Sequence, residues 1–128
     1  MTRTIEPTKT KSTVGLKAFF SIAEKWQLTN QEQLTLLGLT SESTFYKWKN
    51  NPESAKLDRD TFERISYVLG IFKDLQTLLS DTTAADKWIK TPNHAPLFGG
   101  RTALDVLCNG RVADLYLVRQ YLAAQKGV

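Results

Sequence analysis

An all-α fold follows from three features of the sequence. Apolar residues recur at three- and four-residue steps through most of the chain, no run alternates convincingly with period two, and glycine and proline are sparse. At 128 residues and 41% apolar content, there is material for one compact domain or two small subdomains. No internal repeat or low-complexity run interrupts it. The expected arrangement is a flexible basic arm over residues 1–12, a helix-turn-helix subdomain over 13–81 and a small helical C-terminal subdomain over 82–128.

The arm is polar, rich in Thr and Lys, and has no periodicity. A first helix is expected from about Val14 to Trp26, with Leu16, Phe19, Phe20, Ala23 and Trp26 along one face. Thr29 and Glu32 fit a capping box that opens a short second helix through Leu34, Leu36 and Leu37. Gly38 stops it, since glycine takes the left-handed angles of a C-terminal cap. Thr40 or Ser41 caps a third helix, Ser43 to about Asn50, which Asn51-Pro52 ends. Asp58 or Asp60 starts a fourth, with Phe62, Ile65, Val68 and Leu69 inward; Gly70 is a point where it can break before Ile71, Phe72, Leu75, Leu78 and Leu79 continue the pattern. The hydrophobic pattern is weakest at Ser80–Thr83, where the two subdomains should meet. Beyond it come a helix over about Ala84–Lys90, a loop with two prolines and two glycines, and helices near Thr102–Cys108 and Arg111–Gln125.

Two short helices joined by a glycine turn suggest a helix-turn-helix, whose second helix enters the DNA major groove. Phe45 and Trp48 would seat that helix on the first, which places Ser43, Tyr46, Lys47 and Asn50 on the outward face. Asn50 suits an adenine edge and Lys47 a guanine or a phosphate. Ser43 and Tyr46 suit phosphates, as does Lys49 at the flank. The competing reading is an ordinary helical hairpin with a solvated polar face, and the turn is one residue longer than the generic motif.

Charge permits nucleic-acid binding without establishing it. The formal net charge is +4, and Arg3, Lys9, Lys11 and Lys17 face only Glu6 near the N-terminus. Such an arm either releases counterions from a phosphate backbone or simply solubilises the chain. No apolar stretch reaches the roughly 18 to 20 residues of a membrane span. The first residues lack the apolar core of a signal peptide. Cys108 is alone and cannot form an internal disulfide, so a reducing, cytoplasmic setting is expected.

Enzyme chemistry is not expected. His94 is the only histidine and has no second nitrogen or sulfur ligand in its loop, so no metal site is assigned. Cys108 lies in an apolar string and reads as a small core residue. Gly99-Gly100 lacks the lysine of a phosphate loop. Trp88 reads as a core anchor. No catalytic set stands out, and no cofactor is assigned.

The last helix carries one apolar stripe of Val112, Leu115, Val118 and Leu122 and a second of Leu117, Tyr121 and Ala124. A surface helix needs only one buried stripe, so the second points to another chain or to a helix sandwiched inside its own domain.

From about Leu34 to Gly127 the sequence resembles the Xre/MbcA/ParS family of antitoxins, partners of RES-domain toxins. The strings that carry the likeness include Leu36-Leu-Gly-Leu-Thr, Ser43-Thr-Phe-Tyr-Lys-Trp-Lys and Arg64-Ile-Ser-Tyr-Val-Leu-Gly-Ile-Phe-Lys-Asp-Leu. Ala85-Asp-Lys-Trp-Ile-Lys-Thr-Pro-Asn, Phe98-Gly-Gly-Arg-Thr-Ala-Leu-Asp-Val-Leu and Val118-Arg-Gln-Tyr-Leu continue it. Each string is weak alone, and their order and spacing make the match. Ala103 departs from it, where the family often has proline. The resemblance implies a DNA-binding N-terminal part and a C-terminal part that covers the active site of an NAD-consuming toxin. It also implies repression of the antitoxin's own operon; a homodimer is expected from the family and from two-fold operators. Leu117, Arg119, Gln120, Tyr121, Ala124 and Lys126 are the expected toxin-facing residues. The alternative is a free-standing transcription regulator without a toxin partner.

Overall fold

The computed structural model describes residues 6–127, and these form seven α-helices, two single 3-10 turns and no strand. An isolated antiparallel bridge pairs Pro92 with Thr102.

Helix α1 spans Lys9–Lys25, beginning several residues before the expected Val14. Its cap is Thr8, whose hydroxyl accepts from the Lys11 amide at 3.1 Å. Ser12 is fully buried and accepts from the Leu57 amide at 3.2 Å. The early start is therefore held by a polar contact 45 residues away, which no local apolar pattern announces. Leu16, Phe19, Ile22, Ala23 and Trp26 make the buried face.

Helix α2, Asn30–Leu37, has the expected capping box: the Glu32 amide donates to the Thr29 hydroxyl at 3.1 Å, and the Thr29 amide donates to the Glu32 carboxylate at 2.8 Å. Gly38 ends it with φ of 73°. That position excludes a side chain twice over, because a Cβ there would also lie 2.6 Å from the buried Arg64 Nε. Ser41, rather than Thr40, caps α3, Glu42–Asn50, and accepts from the Thr44 amide. The 3-10 turn Pro52–Ser54 follows.

Helix α4 runs unbroken over Arg59–Leu78, capped by Asp58. The helix does not break at Gly70. Gly70 instead makes room for Arg119: an added Cβ would lie 2.8 Å from Arg119 Cδ and closer still to its Nε. Helix α5 is Thr82–Lys87 and passes into the 3-10 turn Trp88–Lys90, α6 is Ala103–Leu107 and α7 is Val112–Lys126.

The hydrophobic core is one continuous cluster, from Leu16 and Phe19 of α1 to Leu115, Val118 and Leu122 of α7. Helix α4 is its spine, packing against α1, α2, α5 and α7, with the α7 contact the most extensive. Arg64 ties the parts together by polar bonds. Its Nε donates to Asp60 at 2.9 Å, and an Nη reaches the Gly110 carbonyl at 3.1 Å in the turn before α7.

Candidate functional site

Helix α3 presents two kinds of surface. Phe45 is buried and meets Phe20 edge-on, with ring centroids 6.1 Å apart, while Trp48 packs against the core. This anchoring turns Ser43, Lys47 and Asn50 to solvent one and two turns apart. Tyr46 and Lys49 are also exposed, and both lean on α2. Asn30, at the start of α2, donates to the Tyr46 hydroxyl at 3.3 Å and accepts from Lys49 Nζ at 2.8 Å. Asn30 was not singled out by sequence reasoning. Its place as the first residue of α2 was the available signal, since a helix start beside a recognition helix commonly meets the DNA backbone.

The six C-terminal residues expected to face a partner divide into two groups. Leu117, Gln120 and Ala124 are exposed, Leu117 by 44%. Arg119, Tyr121 and Lys126 are engaged within the chain. Arg119 donates to Asp74 of α4, which is wholly buried. Lys126 Nζ lies 2.6 Å from the other Asp74 oxygen, an ion pair outside hydrogen-bonding geometry. Tyr121 stacks on Trp88 at 6.5 Å and meets Phe98 edge-on at 5.2 Å. The second apolar stripe is thus part core, as the sandwiched reading had it, and part free surface.

Sequence reasoning missed Tyr116 and Tyr67. Tyr116 is exposed by 44% beside Leu117, and its ring meets that of Tyr67 edge-on at 5.8 Å. Gln120 donates to the Tyr116 hydroxyl at 2.6 Å, and the Tyr67 hydroxyl donates to Glu63 at 3.2 Å. Partial burial, then the Glu63 carboxylate, push the Tyr67 phenol above its usual pKa. Tyr116, Leu117 and Gln120 form a ridge on α7 of the mixed aromatic and polar kind common at protein interfaces.

Comparison with known proteins assigns both halves. The antitoxin Xre-like helix-turn-helix domain matches residues 7–70, and the antitoxin Xre/MbcA/ParS C-terminal toxin-binding domain matches residues 74–127. The chain belongs to the Xre/MbcA/ParS antitoxin family. The uncharacterized protein y4oB of Sinorhizobium fredii is 47% identical over 112 residues, covering 88% of this chain and 84% of that one.

In this antitoxin, α2 and α3 are thus a helix-turn-helix by family as well as by geometry, and α7 lies in a toxin-binding domain. The two family domains meet within α4, so one helix serves both. Among the described residues, no cluster of three or more His, Cys, Asp or Glu side chains is placed to hold a metal, and no helix is long and apolar enough to cross a membrane. Cys108 is half-buried, and burial pushes its thiol up to about 11.

Proposed function

We propose that this antitoxin neutralises a RES-domain toxin that consumes NAD, and that it represses its own operon. Residues 82–128 cover the toxin's active site and exclude NAD by bulk alone, without chemistry by the antitoxin. Residues 13–81 bind operator DNA through α3, with Lys47 and Asn50 reading bases and Ser43, Tyr46 and Lys49 on phosphates. A homodimer places two copies of α3 on a two-fold operator.

The observation that carries this reading is the presence of two separate exposed surfaces, Ser43, Lys47 and Asn50 on α3 and Tyr116, Leu117 and Gln120 on α7, in one chain with one core. The RES partner is supported by the ordered family strings quoted above. Co-expression with the product of the adjacent gene, followed by co-purification and an NAD-consumption assay, tests it. A stable complex with suppressed NAD loss is the expected result. Absence of a complex, with NAD loss unchanged, leaves a free-standing regulator. Gel filtration at micromolar concentration should give a mass of two chains, and a one-chain mass contradicts the dimer.

A further inference from the structure

A cleft of about 210 Å³ lies between the end of α1 and α5, lined by Lys25, Trp26, Gln27, Asp86, Lys87 and Lys90 among others. Three lysines therefore line one small volume, and none is ion-paired among the described residues, though Lys25 Nζ sits over the Phe72 ring, 5.1 Å from its centroid. The one carboxylate on the wall, Asp86, is occupied as acceptor for Gln76 Nε2 at 3.0 Å. Trp26 is buried, and its indole N–H has no hydrogen-bond partner. Three lysines against the one Asp86 carboxylate leave the cleft net positive, and an anion between the lysines relieves their repulsion.

The cleft adjoins the helix-turn-helix. Lys90 Nζ donates to the Gln27 carbonyl at 2.9 Å, in the turn between α1 and α2, where Gln27 takes φ of 54°. Three residues later comes Asn30, which holds Tyr46 and Lys49 of α3. Contacts thus run from Lys49 at the end of α3, past Asn30 at the start of α2, to Lys90 of the domain matched as toxin-binding. The first helix of such a motif crosses the DNA backbone.

We propose that this cleft is a second DNA contact, in which Lys87 and Lys90, with Lys25, take backbone phosphate flanking the base pairs under α3. This rests on the DNA-binding reading above. It gives the C-terminal domain a part in DNA affinity as well as in toxin binding, and the added affinity is independent of base sequence.

Phosphate contacts are read from the salt dependence of binding to a random-sequence duplex, measured by fluorescence anisotropy. The Lys87 ammonium makes no hydrogen bond or ion pair among the described residues, so Lys87→Gln removes charge without removing a native contact. The slope of log K against log salt should fall in magnitude by about 1 in Lys87→Gln and by about 2 in Lys87→Gln with Lys90→Gln. If the double variant fails to fold, the single variant decides. A wild-type chain that binds and a Lys87→Gln slope that does not change overturn this proposal alone. No DNA binding by wild type overturns it together with the α3 reading. If inorganic phosphate shifts the tryptophan emission while the slope is unchanged, the cleft holds a free anion and the DNA assignment is overturned.

Discussion

Single residues in this antitoxin are set by contacts that cross long stretches of chain. Gly70 is the clearest case. In isolation it is a weak point in a helix, and Ala there should stabilise by about 0.8–1.0 kcal/mol. In the fold, a Cβ at Gly70 displaces Arg119 from the buried Asp74. Lys126 remains beside that carboxylate, so only part of the roughly 3–5 kcal/mol cost of breaking a buried pair should appear. Gly70→Ala is expected to lose a net ~1–2 kcal/mol in denaturant unfolding. A gain would mean that the Arg119–Asp74 pair contributes nothing. Cys108 gives a prediction of opposite character. Its folded pKa is raised to about 11, so the fold favours the neutral thiol. The contribution is present below the ordinary thiol pKa, and it declines as pH rises through about 9 to about 11. Cys108→Ala should flatten that part of the stability profile, and native Cys108 should resist alkylation at neutral pH. An identical alkaline profile in the variant contradicts this.

At the level of elements, local chemistry was legible and long-range chemistry was not. The capping box at Thr29 and Glu32, the left-handed stop at Gly38 and the outward set Ser43, Lys47 and Asn50 were readable because each signal lies within one or two turns. The start of α1 was not, since the reason it reaches back to Lys9 is Ser12 under Leu57. The last helix shows the same limit. Of its first stripe Leu115, Val118 and Leu122 are buried as the period indicates and Val112 only partly, whereas Arg119, Tyr121 and Lys126 looked free because Asp74, Trp88 and Phe98 are far away in sequence. What remains open on α7 includes the ridge of Tyr116, Leu117 and Gln120, and the proposed toxin contact is placed there in preference to Arg119. Leu117→Glu should weaken the toxin complex by tenfold or more, on the order of the 1–2 kcal/mol expected at a well-packed interface position, and leave the melting midpoint close to wild type. Arg119→Ala, by contrast, should lower the midpoint.

For the whole molecule, the shared spine has a consequence. Because α7 lies along α4 and both belong to one core, the DNA-binding half is not independent of the toxin-binding half. A chain ending at Asp81 removes α7 and uncovers the α4 face that holds Asp74 and Leu75, both buried in the full chain. It should lose cooperative melting, whereas the full chain melts in one transition. A truncated chain that melts like the full one contradicts the single core. The two exposed surfaces nonetheless allow separate functions on that one body. Their separation is tested most directly by measuring operator binding and toxin neutralisation together, for Lys47→Ala with Asn50→Ala and for Leu117→Glu. The first variant should lose operator binding and keep neutralisation, and the second should do the reverse. If a folded Lys47→Ala, Asn50→Ala protein fails to neutralise, or a folded Leu117→Glu protein fails to bind the operator, the assignment of DNA to α3 and toxin to α7 is wrong.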